Sequence, residues 1–346
     1  MFSRSRVLWL SCVIALLGAC SSEEDDANRP LRVQVFTGAY SSIPVHVAEE
    51  KGIFAKHDLV VESLPANSSS AALAAMIGGS MDIVESAADL VMANFDKGTD
   101  LRYLMSNEGR NYVNVVVGNH VSIPENDQHY PGVIKYFVGK RIGVNAIGSS
   151  LYLATVLMLE EAGFDRDDVE FVATGSAAST MAAWRSSSVD VQVTFAPVPE
   201  LLETLEYARP LFIMADEGPA ALKFDGLYGG WVTTGEFLRT QAETADRFIA
   251  SIREAIDWIR DPQNNEEMIE IAEKYAPVAA LSDEENRAVL TAMVDNYRRF
   301  WGYEISPDAI AMWSDYALRF DLIKSSIEYA DIVYSGAPQC SEHPCQ

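Results

Sequence analysis

Two stretches of this chain, 108 residues apart, repeat one order of strand, turn, helix and strand, and this limits the fold more than any other feature. Thr37-Gly38-Ala39-Tyr40-Ser41-Ser42 follows an alternating apolar run, Leu31 to Phe36, and Asn145-Ala146-Ile147-Gly148-Ser149-Ser150 follows a second run, Arg141 to Val144. Each turn opens a helical pattern that stops at a glycine, Gly52 after Glu49-Glu50-Lys51 and Gly163 after Glu160-Glu161-Ala162. A helix C-terminus needs a left-handed residue there, which glycine adopts without steric penalty. A strand-like run comes next in both copies, Leu59 to Leu64 and Val169 to Ala173. A Ser/Ala-rich helix follows, and then a closing motif, Ser80-Met81-Asp82-Ile83 or Ser188-Val189-Asp190-Val191. Two β-α-β-α-β units of this kind predict parallel sheets with helices on both faces.

The mature length is too great for one comfortable core and suits two lobes. Val113 to Gly118 and Tyr228 to Thr234 read as the strands that cross between them. The predicted division is lobe one from residues 31–118 and 228–335, lobe two from 119–227, and a tail of 336–346. The hinge is expected within Val116 to Asn119 and Gly229 to Thr233, where glycines could absorb a dihedral change. Beyond Gly235 the pattern is helical, with a capping box at Ser282 and Glu285 and a Ser306-Pro307 start. This helical tail is expected to pack on lobe one.

In open parallel sheets, ligands bind beyond the carboxyl ends of the strands. Two facing lobes therefore bring the strand-end turns to one cleft. The candidate ligand residues are Thr37, Tyr40, Ser41, Ser86 and Asp89 of lobe one, and Ser149, Ser150, Thr194 and Phe195 of lobe two. Tyr228 joins them from the return crossover, and Tyr112 is a further aromatic candidate. Serines at helix N-termini cap helices everywhere; here their repeated placement adds a cradle of hydroxyls and free N–H groups. None of the turns carries Lys or Arg, whereas Glu85, Asp89 and Glu108 fall at or near strand ends. That favours an organic solute, neutral or bearing an amine. Arg110, which could fold back as a clamp for a carboxylate or sulfonate, is the opposing feature.

Arg4 and Arg6 precede an apolar run, Val7 to Ala19, of secretory-signal length and too short to span a bilayer. Leu17-Gly18-Ala19-Cys20 resembles a bacterial lipoprotein box, which implies cleavage after residue 19 and a lipid on Cys20. Residues 20–30 then form an acidic tether. Loss of residues 1–19 leaves 24 Lys and Arg against 50 Asp and Glu, a net charge of −26. Such a surface argues against nucleic acid and against an anionic membrane face, so membrane contact is expected through the anchor alone. Cys340 and Cys345, in the tail CSEHPC, are expected to form a small disulfide loop in an oxidising compartment. With His343 they fall short of a closed zinc set, and no metal or cofactor is expected.

IPVHVAEEKGIFAKHDLVVESLP, AALAAMIGGSMDIVES, GKRIGV and YLATVLMLEEAGFDRDDVEFV together resemble the nitrate/sulfonate/taurine and pyrimidine-precursor group of periplasmic binding proteins. The resemblance covers about Leu31 to Tyr329. It implies an α/β, two-lobed periplasmic-binding-protein fold with a two-stranded hinge and a helical C-terminal tail. It also implies a monomeric solute trap, periplasmic or at the cell surface, serving an ABC permease and its ATPase. The solute would be a small nitrogen- or sulfur-containing molecule, pyrimidine-like, amine or sulfonate. A receptor input of the same architecture is the alternative. The same fold group includes a thiamine-pyrimidine synthase, but its cysteine-rich motif has no counterpart, since residues 21–339 contain no cysteine. No nucleophile elbow, phosphate loop or zinc-protease helix is present, so a binding protein and not an enzyme is expected.

Overall fold

The computed structural model describes residues 29–278, 281–340 and Cys345. The signal segment, Cys20 and most of the tether, with His343, lie outside the described residues. The first repeat unit runs β1 (Leu31–Phe36), α1 (Ile43–Glu50), α2 (Ile53–Lys56), β2 (Val61–Ala66), α3 (Ser69–Ile77), β3 (Val84–Ala87), α4 (Ala88–Asp96) and β4 (Leu101–Glu108). The second runs β5 (Asn114–Gly118), β6 (Arg141–Val144), α5 (Ser150–Glu161), β7 (Glu170–Ala173), α6 (Ala177–Arg185), β8 (Val191–Thr194), α7 (Val198–Thr204), β9 (Ala208–Ile213) and α8 (Met214–Glu217). The chain then returns through β10 (Gly229–Thr234) to α9 (Gly235–Arg260), α10 (Asn265–Tyr275), α11 (Asp283–Tyr297), α12 (Pro307–Arg319) and α13 (Tyr329–Ile332).

The two lobes are built on one plan. In lobe one, β1 pairs in parallel with β2, a Val33–Ile83 bridge leads on to β3, and β10 lies antiparallel between β3 and β4. In lobe two the order is β7-β6-β8-β5-β9, with β5 antiparallel between β8 and β9. The antiparallel strand of each sheet thus arrives from the other lobe. The glycines expected to end the first helix of each repeat are left-handed, with φ of +66° at Gly52 and +87° at Gly163.

This exchange shifts the expected lobe boundary. Asn114 to Gly118, expected within lobe one, is paired into the sheet of lobe two. The expected hinge residues Val116 to Gly118 and Gly229 to Thr233 are locked in ladder hydrogen bonds and are poor places for a dihedral change. The chain crosses instead at 109–113 and near 224–228. There Gly226 N donates to Gly109 O at 2.6 Å, Tyr228 N to Glu108 O at 2.8 Å, and Ala215 N to Asn111 O at 2.9 Å. The hinge is two-stranded as expected and lies several residues from its expected place.

The helical tail also departs from expectation. α9 and α10 cover α1, and α12 packs on α4, all in lobe one, while α11 packs on α7 of lobe two. Arg299 forks onto Asp216 at 2.6 and 2.9 Å, and Arg319 meets Glu160 at 2.5 Å. The tail therefore bridges both lobes. Its end is closed by a Cys340–Cys345 disulfide with Cα atoms 5.3 Å apart. Among the described residues, no helix is long and apolar enough to cross a membrane.

Candidate functional site

The strand ends of both lobes open onto a single cleft of about 890 Å³. Lobe one supplies Phe36, Thr37, Tyr40 and Ser41 after β1, Asn67 to Ser70 after β2, and Glu85, Ala87 and Asp89 around the end of β3. Lobe two supplies Asn145 to Leu151 after β6, Gly175 after β7, and Phe195 and Ala196 after β8. Glu108, Tyr112, Tyr228 and Gly229 line the floor beside the crossovers.

The small residues at these turns follow from the backbone they serve. Ser68 accepts from Ala71 N at 3.2 Å and Ser176 from Ser179 N at 3.4 Å, capping α3 and α6 at positions 108 residues apart. Ser149 caps α5 through Tyr152 N at 3.3 Å. The Ser42 hydroxyl, by contrast, accepts from Phe36 N at 2.7 Å and folds the first turn tightly against β1.

Nine of the expected ligand residues meet in the cleft: Thr37, Tyr40, Ser41, Asp89, Tyr112, Ser149, Ser150, Phe195 and Tyr228. Three do not. Ser86 is fully buried, because strand alternation turns it away from the cleft that its neighbours Glu85 and Ala87 face. Thr194 pairs with Asn114 in the β8–β5 register and stays within the sheet; Phe195, one residue on, reaches the cleft. Arg110 is turned to the crossover, where it meets Asp225 at 3.2 Å, Asp216 at 3.6 Å and the Phe300 ring at 5.7 Å. The serines of the β2–α3 turn were not among the expected residues, although the offset linking Ser68 to Ser176 pointed to them. His46 stacks on Tyr275 with ring centroids 4.0 Å apart and takes no part in the cleft.

The charge of the cleft is of one sign. Among the described residues, Glu85, Asp89 and Glu108 are the only ionisable acids or bases other than tyrosine that line it, and each is at most 7 % exposed. Burial pushes Glu85 up to about 8. Burial, and then the neighbouring Glu85 charge, hold Glu108 well above the usual carboxylate range, and burial also raises Asp89. Tyr40 is enclosed by Tyr297 and Trp301, and its hydroxyl accepts from Trp301 Nε1 at 2.9 Å. Tyr112, Phe195 and Tyr228 form an aromatic wall with centroid separations of 5.2, 5.7 and 6.1 Å. Among the described residues, no group of three or more His, Cys, Asp or Glu side chains is placed to hold a metal ion.

Solved structures with this architecture come from several bacteria. The periplasmic aliphatic sulphonate binding protein SsuA of Escherichia coli superposes with a TM-score of 0.71 at 16% identity, over 92% of this chain and 95% of that one. The alkanesulfonate-binding protein SsuA of Xanthomonas axonopodis gives 0.68 at 16% identity, over 88% and 98%. The periplasmic nitrate-binding protein NrtA of Synechocystis gives 0.57 at 15% identity, over 74% and 68%. No curated protein sequence matches the chain. At these identities the likeness establishes the fold. The family described as NMT1/THI5 like matches residues 40–265, well over half of the sequence. With the two-lobed binding-protein fold and its exchanged strands in place, this chain belongs to the NMT1/THI5-like family.

Proposed function

We propose that this protein is the extracytoplasmic solute-capture component of an ABC importer. It is held to the membrane by lipid on Cys20, and its solute is a small organic molecule bearing nitrogen donors. The observation that carries the reading is a cleft walled by both lobes whose lining, among the described residues, has three buried carboxyl groups and neither Lys nor Arg. A sulfonate or nitrate placed there would meet buried carboxyl groups and, among the described residues, no lysine or arginine to pair with. An amine or amino-heterocycle would offer N–H donors to Glu85, whose carboxyl accepts no side-chain hydrogen bond among the described residues. Capture would proceed by closure about the paired crossovers, favoured only by contacts present in the closed form. The closed protein, as a monomer, then presents both lobes to a permease with its ATPase.

Thermal unfolding of the purified protein against amines, aminopyrimidines, aliphatic sulfonates and nitrate tests the solute class. A ligand at a hundred times its dissociation constant adds about 2.7 kcal/mol to stability. Stabilisation by nitrogen-donor solutes, with loss of their uptake on gene deletion, is the expected result. Stabilisation confined to sulfonates or nitrate would overturn the solute class, and undiminished uptake would overturn the import role.

A further inference from the structure

Glu85 on β3 and Glu108 at the end of β4 flank β10 on either side, and their side chains converge over Gly229. A Cβ at Gly229 would stand 2.7 Å from Glu108 Oε2 and 2.8 Å from Glu85 Oε1, so the two carboxyls face each other across the space a side chain would fill. Glu108 accepts from Asn107 Nδ2 at 3.0 Å and from its own backbone N–H. Glu85 is 7 % exposed, lines the cleft and accepts no side-chain hydrogen bond among the described residues. Asp89, the third acid, is already engaged by the Ser150 hydroxyl and by Leu90 N at 2.9 Å.

We propose that Glu85 and Glu108 form a two-carboxyl clamp for a planar organic cation with several N–H donors, an amidinium or guanidinium head, set against the Tyr112, Phe195 and Tyr228 rings. The assignment rests on the solute-capture reading and names the head group that reading leaves open. A planar fork of N–H groups can donate to two facing carboxylates at once, in a geometry a single ammonium matches less well. A delocalised cation also lies favourably over aromatic faces, and those of Tyr112, Phe195 and Tyr228 border the same floor.

The groups bearing on the pair include Tyr40 of the turn after β1, Asp89 of α4, Tyr103 of β4, Tyr112 of the first crossover and Tyr228 of the second. None of these groups carries a positive charge, so without a cation the two carboxyls answer their mutual charge by holding protons. The cation replaces them, and binding tightens as pH rises toward about 8, where Glu85 ionises.

Benzamidine, its neutral isostere benzamide and benzenesulfonate separate the possibilities by calorimetry on the mature chain at pH 8.5. The expected result is benzamidine binding at least tenfold tighter than either isostere. Glu85→Gln and Glu108→Gln should each weaken it tenfold or more while melting no lower than the unsubstituted protein. Equal binding of benzamide, benzamidine affinity unchanged in both variants, or no benzamidine binding at millimolar concentration overturns the clamp. Solutes found in the thermal-shift panel and lost to uptake on gene deletion would still support capture if the clamp failed. Undiminished uptake with intact benzamidine binding would reject the import role alone.

Discussion

Asp89 belongs to lobe one and Ser150 to lobe two, and the Ser150 hydroxyl donates to the Asp89 carboxylate across the cleft. Both sit in the first turn of a helix, α4 and α5, so two helix N-termini face each other through this bond. The Tyr316 hydroxyl of α12 reaches Ser150 O at 3.4 Å and ties the helical tail to the same point. In the proposed closure mechanism this bond would form only as the lobes come together, which would make it a closure contact.

Removing that contact is expected to act on ligand release. A hydrogen bond to a charged group contributes about 1.5–3 kcal/mol. Ser150→Ala is therefore expected to weaken solute affinity about tenfold or more, with the change in the dissociation rate. Stopped-flow fluorescence measures it; an unchanged dissociation rate would mean that water replaces the hydroxyl.

The buried carboxyls set the pH dependence of stability. Burial raises Glu85 to about 8, and Glu108 and Asp89 move in the same direction. A raised folded-state pKa means the folded chain holds protons that the unfolded chain releases. The associated stability is complete below the ordinary carboxylate range and is lost as pH rises through about 8. Asp82 has the opposite sign: burial works against its ionisation, but hydrogen bonds from Arg29 and Arg32 outweigh this and hold it down to about 2. Its stability is present above the ordinary carboxylate range and lost as pH falls through about 2. The unliganded protein is thus expected to melt highest in weak acid, with a decline toward pH 8 of up to about 1.4 kcal/mol per pH unit for each proton involved. Thermal scans of the unsubstituted protein and Glu85→Gln check this; an equal decline in both would exclude Glu85 as its source.

The repeat was legible because each duplicated position meets a local need: a left-handed glycine at Gly52 and Gly163, a hydroxyl cap at Ser149. The strand exchange was not, because Asn114 to Gly118 reads as a strand without stating whose sheet it joins. The cleft was half legible for a similar reason. Turn chemistry pointed to Thr37, Tyr40 and Ser150, whereas Ser86 was lost to strand alternation that a short β3 does not reveal. Arg110 was misplaced because its partner Asp225 lies 115 residues on and reaches it only through the hinge.

The duplication extends to a pair of ion pairs. Arg32 holds Asp82 through its backbone N at 2.8 Å, Nε at 3.1 Å and Nη2 at 2.8 Å. Arg141 holds Asp190 through the same three atoms at 2.9, 3.0 and 2.8 Å. Breaking a buried pair from one side costs about 3–5 kcal/mol. Asp82→Asn is expected to fall in that range, and Asp190→Asn below it, because Asp190 and its partners Arg141 and His120 are more exposed. The sites lie in separate lobes, so the double variant is expected to be additive within about 0.5 kcal/mol by denaturant titration. A larger deviation would show that the lobes do not unfold as one unit.

Gly229 provides a steric test of the cleft floor. Its backbone is not left-handed, so alanine adds a methyl group without dihedral strain. That methyl would stand 2.7 Å from one carboxyl oxygen and 2.8 Å from the other, forcing the Glu108 and Glu85 side chains apart in a closed space. Overpacking of this kind costs about 1–3 kcal/mol, which a two-lobed core can absorb without unfolding. Gly229→Ala is therefore expected to remain folded, to melt a few degrees lower, and to lose solute affinity more than tenfold. Calorimetric titration beside a melting curve separates the two effects. If affinity survives the added methyl, the carboxyls can swing aside without consequence, and recognition lies elsewhere in the cleft, at the serine-capped turns of Ser68 and Ser149.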